Sequence, residues 1–239
     1  MPRPSDLQNR ILSRLSPDDF ALVADHLEFV RYERGATLAE VDRPVDVIVF
    51  PETGISSVVA RSPEGQSIES GIIGREGFVH PALVLGSDRL PYDCLVQVPG
   101  DAHCMARSAL VRASEKSASL RDTLLRFATV HATQISFTAL SNSVHELDER
   151  CARWLLMCHD RSDSDDLPLT HEFLGLMLAC RRPSVTNAIH VLEGNGFIAN
   201  TRGYITIRNR AALEEYASNA YGKPEAEYSR LLGPPERAD

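Results

Sequence analysis

Residues Arg182, Ser184, Thr186, Asn187 and His190 are polar groups that can bond the edges of nucleic-acid bases or the phosphate backbone. An arginine fork can take guanine at two points, an asparagine amide can do the same with adenine, and a hydroxyl reaches either base or phosphate. Val185, Ile189 and Leu192 lie among them at helical spacing and are expected to turn inward, leaving the polar set facing out. Upstream, Thr170 can cap a helix that has Glu172 and Phe173 in its first turn. Phe173, Leu174, Met177 and Leu178 give that helix an apolar face. The turn Ala179-Cys180-Arg181 follows, and a second helix begins near Arg182-Pro183-Ser184, where a first-turn proline is tolerated. That helix stops at Glu193-Gly194-Asn195-Gly196. Phe197 to Asn200 and Tyr204 to Ile207 then read as a hairpin turning at Arg202-Gly203. The order predicts a winged helix-turn-helix. Arg181, Arg182, Arg202, Arg208 and Arg210 outweigh Glu172 and Glu193 across it. A charged helix pair is more often only a solvated face. Turn, outward polar set and hairpin in sequence favour nucleic acid.

That local excess of arginine matters because the whole chain is acidic. It has 239 residues, 43% hydrophobic and 24% charged, with a formal net charge of -8 and a pI of about 5.5. Such a balance speaks against non-specific nucleic-acid binding and for ordinary globular folding. No apolar run is long enough to span a bilayer, and the opening residues Met1-Pro2-Arg3-Pro4-Ser5-Asp6 are polar. A cytoplasmic chain with no membrane partner is expected. The five cysteines, Cys94, Cys104, Cys151, Cys158 and Cys180, are odd in number and form no Cys-x-x-Cys pair. They are expected to be reduced and mostly buried, with no metal site and no cofactor. A cupin-like β-barrel enzyme would need a histidine cluster, and the eight histidines are scattered. No Ser-His-Asp or glycine-rich phosphate signature appears, so no catalytic residue is assigned. The other alternative, a cyclic-nucleotide sensor that does not touch DNA, leaves the winged helix unexplained.

The elements that must position the site read as α+β. Leu7 to Leu27 predicts two short helices, split at Ser16-Pro17-Asp18-Asp19, where Ser16 is the cap and Pro17 the first helical residue. From Glu28 to about Arg107 short apolar runs alternate with turns such as Pro51-Glu52-Thr53-Gly54 and Pro99-Gly100, which suggests an all-β roll, barrel or sandwich. Ser108 to Ser143 contains neither glycine nor proline and reads as one long helix. One stripe runs through Leu120, Leu124, Phe127, His131, Gln134 and Thr138, a second through Leu125, Ala128, Ala132, Ile135 and Ala139. The length and position of this helix favour a homodimer interface built on Leu120, Leu124, Phe127 and Ile135. Val144 to Asp160 predicts a further helix with Leu147, Cys151, Trp154, Leu155 and Cys158 on one face. The expected parts are residues 1–107, 108–143 and 144–239.

The run LTHEFLGLMLACRRPSVTNAIHVLEGNGFI, followed by RGYITI, resembles the winged helix of the Crp/Fnr family of bacterial regulators. RGATLAEVDRPVDVIVFPETGISSVV and IGREGFV resemble that family's β-roll. The likeness covers about Leu7 to Leu213. It implies a jelly-roll-like N-terminal sensor of the cyclic-nucleotide-binding type, a long dimerisation helix and a C-terminal DNA-binding domain. It implies that Arg182 and Asn187 read bases, with Thr170, Arg181 and Ser184 on bases or phosphates and Arg202 of the wing on phosphate. The implied partners are a near-palindromic double-stranded operator and RNA polymerase. Nucleotide-binding members carry Gly-Glu, a short helix and then Arg-Ser around the cyclic phosphate. Here Arg75 aligns with the glutamate, Glu76 follows it, and Tyr92-Asp93 fall near the Arg-Ser position, with Arg89 three residues earlier. An aspartate there repels a phosphate. Cyclic AMP and cyclic GMP are therefore not expected as effectors, and any effector pocket is expected around Arg75, Glu76, Arg89 and Tyr92.

Overall fold

The computed structural model describes residues 3–234. Two 3-10 turns, Pro4–Asp6 and Leu12–Arg14, lead to a short helix α1 (Pro17–Ala21). As expected, Ser16 caps α1 by accepting a bond from the Asp19 amide at 3.1 Å. Seven strands follow: β1 (Glu28–Tyr32), β2 (Thr37–Ala39), β3 (Val47–Pro51), β4 (Ile55–Arg61), β5 (Ser67–Ile73), β6 (Asp93–Val98) and β7 (Gly100–Ala106). They form two antiparallel sheets, β1-β7-β3 and β2-β6-β4-β5. The turns after β3 and β6 press backbone on backbone. A Cβ at Gly54 would lie 2.6 Å from the Val98 carbonyl oxygen, and one at Gly100 would lie 2.5 Å from that of Thr53. Only glycine permits that approach.

The interior of this roll is filled by aromatic rings. Phe50 and Phe78 lie 5.8 Å apart and Phe78 and Phe127 lie 5.2 Å apart, centroid to centroid. Phe127 comes from the long helix, not from a strand. Its ring sits directly over Gly77, where a Cβ would fall 1.7 Å from the ring tip. Two helices supply this face: α2 (Arg107–Lys116) and α3 (Ala118–Val144). They are not the single helix expected over Ser108–Ser143. Ser117 is extended between them and its hydroxyl caps α3 through the Leu120 amide. Ser117 and Ser119 also donate to the Asp19 carboxylate of α1. These tertiary bonds explain a break that helical propensity alone does not show.

The first stripe of α3 faces the roll. Leu120, Leu124 and Phe127 are no more than 2% exposed and belong to the chain's own core. They are therefore unavailable to a second copy, and Ile135 is only half-buried. The sequence could not separate the two stripes, because both repeat at nearly heptad spacing. The larger side chains went to the roll.

After α3 come α4 (Leu147–His159), a two-residue strand β8 (Asp166–Leu167), α5 (His171–Met177), α6 (Arg182–Gly194), β9 (Ile198–Thr201), β10 (Tyr204–Ile207), α7 (Arg210–Ala217) and α8 (Lys223–Leu232). Trp154, Leu155, Leu174, Val185, Ile189, Leu192 and Ile205 build a second core, joined by Ile55 and Ile72 of the roll. The terminal helix α8 folds back along α3. The Tyr228 hydroxyl of α8 donates to the Glu76 carbonyl at 3.1 Å, and Arg14 closes the end of α8 through the Leu232 carbonyl at 2.7 Å.

Where the two cores meet, Trp154 Nε1 donates to Glu69 Oε1 at 2.8 Å. The other Glu69 oxygen is buried without a partner among the described residues. Burial pushes the Glu69 carboxyl up to about 8, against the Trp154 bond that favours its charged form. A carboxyl raised in the folded state contributes most below its unfolded value near 4.5, and that contribution is lost as pH rises through about 8. Glu69→Gln keeps an acceptor for Trp154 and removes the ionisation. Its melting temperature relative to wild type should climb between about pH 5 and pH 8; a difference constant with pH contradicts this assignment.

Candidate nucleic-acid interface

Thr170 accepts a bond from the Phe173 amide at 3.3 Å and starts α5 where the sequence predicts. Ala179 adopts a left-handed conformation (φ 49°) in the turn. Gly175 of α5 faces it: a Cβ there would lie 3.0 Å from the Cys180 carbonyl oxygen. A small residue at that point lets α5 and α6 pack closely. α6 begins at Arg182, with Pro183 in its first turn, and buries Val185, Ala188, Ile189 and Leu192. Arg181, Arg182, Asn187 and His190 are exposed, while Ser184 and Thr186 are half-buried. Among the described residues no side chain bonds the Arg181, Arg182 or Asn187 head groups, so the donors and acceptors remain open to an external partner. Thr186 is partly committed, donating to the Arg182 carbonyl at 3.2 Å. His171 Nδ1 lies 3.1 Å from the Thr186 hydroxyl, and its Nε2 lies 3.4 Å from Asn200 Oδ1. That histidine ties α5, α6 and the wing into one unit.

The wing is the antiparallel pair β9 and β10, turning at Arg202-Gly203 with Gly203 left-handed (φ 86°). Arg202 is exposed at its tip. A third strand, β8, pairs with β10 and was not foreseen; two residues are too few to show a period. Arg210 proves not to belong to the basic surface. It is half-buried and bound to Asp160 at 2.7 Å, Glu214 at 2.7 Å and the Tyr221 hydroxyl at 2.8 Å. Asp160 raises the Arg210 guanidinium further despite the burial. The Cys180 thiol beside Arg181 is pushed up by burial, which leaves it a neutral thiol in the turn.

The four residues expected around an effector do not come together. Glu76 is buried and bonded to Arg161 at 2.8 Å, and Arg75 pairs with Asp163 at 2.5 Å, so both point to the segment after α4. Arg89 is exposed and bound to its neighbour Asp88 at 3.1 Å. Tyr92 packs against the roll core, and burial raises its phenol. Asp93 pairs with Arg61 and accepts the Val41 amide at 3.0 Å.

Residues 149–216 match the Crp-like helix-turn-helix domain. No curated protein sequence matches the chain. Solved structures do. FixK2 from Bradyrhizobium japonicum superposes with a TM-score of 0.69 at 15% identity, over 80% of this chain and 98% of that one. A Crp-family transcriptional regulator from Thermus thermophilus gives 0.66 at 19% identity, over 79% and 96%. The c-di-GMP-responsive global regulator CLP from Xanthomonas campestris gives 0.60 at 14%, over 80% and 99%. Identities this low speak for the fold. Domain match and geometry together define a DNA-binding transcription regulator that carries a winged helix-turn-helix. It is built on the Crp/Fnr plan: a β-rich N-terminal half, long helices and a C-terminal DNA-binding domain.

Proposed function

We propose that the chain is a cytoplasmic, homodimeric, sequence-specific regulator that reads a near-palindromic operator and acts on RNA polymerase, with no enzymatic activity of its own. The observation that carries this reading is the set of open polar groups on α6 and at its cap, exposed at Arg181, Arg182 and Asn187 while the opposite face of the helix is buried. Arg182 and Asn187 read bases; Thr170, Arg181 and Ser184 hold the adjoining bases or backbone; Arg202 on the wing takes phosphate. Residues 1–107 would serve as sensor, 108–143 as linker and dimer helix, and 144–239 as the DNA-binding part; residues 1–2 and 235–239 lie outside the described residues. The test is a titration of labelled duplexes at two salt concentrations. Arg202→Ala should weaken all sequences alike and reduce the salt slope by about one. An unchanged slope removes Arg202 from the interface.

The dimer seam on this reading is the free face of α3, not the face expected at first. Leu125, Thr129, Ala132, Ser136, Ala139 and Ser143 follow one another at spacings of four and three and are exposed or half-buried. Thr129, Ser136 and Ser143 donate their hydroxyls to carbonyls one turn back, each at 3.0 Å, so the face presents little free polarity. Small residues there permit close approach of a two-fold partner. Ala132→Arg should convert dimer to monomer in light scattering at micromolar concentration. Wild type that is already monomeric, or a dimeric Ala132→Arg, contradicts the seam.

Cyclic AMP and cyclic GMP are not effectors on this account. A buried cyclic phosphate needs a paired cation. Arg75 is paired with Asp163, Arg61 is held by Asp93, and the roll interior is occupied by Phe50, Phe78 and Phe127. Calorimetric titration should show no saturable binding of either nucleotide; micromolar binding overturns the claim.

A further inference from the structure

Between the roll and the DNA-binding part lies a cavity of about 210 Å³. Its walls come from both sides: Ile55, Val98 and Arg75 from the roll, Leu167, Leu169 and the loop at Asp163 from beyond α4. Arg75 is 6% exposed. Its Nη1 meets Asp163, but its Nε and Nη2 are buried and have no hydrogen-bond partner among the described residues. Those two nitrogens form the edge of the guanidinium that takes the two oxygens of a carboxylate side by side. Leaving them unmet costs free energy that an incoming anion would recover. Asp163, the present partner at Nη1, has a side chain 47% exposed and sits on a surface loop, so it can swing aside.

The other charges at the cavity are already committed. Arg161 is bonded to Glu76 at 2.8 Å and to the Met157 carbonyl at 2.7 Å. Glu52 takes the amides of Gln8 at 2.5 Å and Asn9 at 3.3 Å, with His103 Nδ1 at 3.1 Å. One unmet guanidinium edge, two carboxylates nearby and apolar walls suit a monoanion with a flat two-oxygen head and an apolar body. A phosphate dianion would demand more cations than Arg75 supplies.

We propose that this cavity binds a small hydrophobic monocarboxylate, whose carboxylate takes the Nε–Nη2 edge of Arg75 as the Asp163 loop swings aside, while its body lies against Ile55, Val98, Leu167 and Leu169. Because the walls belong to both parts, occupancy fixes their relative position and so sets the presentation of α6. That coupling rests on the DNA-binding reading; the binding itself does not.

The test is calorimetry on the full chain with hexanoate and benzoate, against hexanamide and inorganic phosphate. Hexanoate or benzoate should bind saturably, hexanamide and phosphate should not, and Asp163→Asn should tighten carboxylate binding several-fold. Arg75→Gln should weaken it by roughly ten-fold or more. Asp163 is exposed, so its variant keeps the test decisive if Arg75→Gln does not fold. Absence of binding of both carboxylates to wild type and to Asp163→Asn overturns the proposal. So does equal binding of the amide, tighter binding of phosphate, or a folded Arg75→Gln with unchanged affinity. Failure of these titrations with DNA binding intact would sink the cavity assignment alone.

Discussion

Phe127→Ala is expected to destabilise the chain by about 3–5 kcal/mol, the range for removing a fully buried aromatic ring. The ring is 2% exposed, lies 5.2 Å from Phe78 and covers Gly77, so its loss empties the centre of the first core. Relaxation cannot refill the space easily, because the rings of Phe50 and Phe78 are themselves packed within the roll. Urea unfolding measures the effect as a lower midpoint at unchanged slope. Gly77→Ala should also destabilise, since its methyl group would occupy the ring position. Combined with Phe127→Ala it should cost less than the sum of the two, because each change removes the clash or the gap left by the other. Additive costs, or a loss under about 1 kcal/mol for Phe127→Ala, would mean that the ring does not seat on Gly77.

Arg182→Ala is expected to lower operator affinity by about 1–3 kcal/mol and to relax discrimination at one base pair in each half-site. Arg182 opens α6, is exposed and has no internal partner among the described residues, so its removal leaves the fold intact. The loss therefore reports on recognition alone. That figure is the cost per half-site; on the proposed dimer, with two copies on one operator, the total should approach twice it. Affinity for random duplex should fall much less. An equal fall for both removes Arg182 from base reading and makes it a phosphate contact.

Local chemistry was legible from the sequence. The caps at Ser16 and Thr170, the start of α6 at Arg182 and the hairpin turning at Arg202-Gly203 all depend on residues within a few positions of one another, and the structure repeats them. What failed to show depends on distant partners. The break at Ser117 is held by Asp19, and the turn of Arg75 and Glu76 toward the segment after α4 by Asp163 and Arg161. Which stripe of α3 faces inward is decided by Gly77 and the roll, not by the helix itself. Arg210 looked like part of a basic surface until Asp160 and Tyr221 were placed beside it.

The most direct test of the central claim is selection of bound duplexes from a random DNA pool by the wild-type chain, read by sequencing. The account predicts enrichment of a near-palindromic site, with Arg182→Ala losing preference at one base pair of each half-site while wing and backbone binding persist. A pool that remains random after repeated rounds with folded wild-type protein, or an enriched motif identical for wild type and Arg182→Ala, would contradict it.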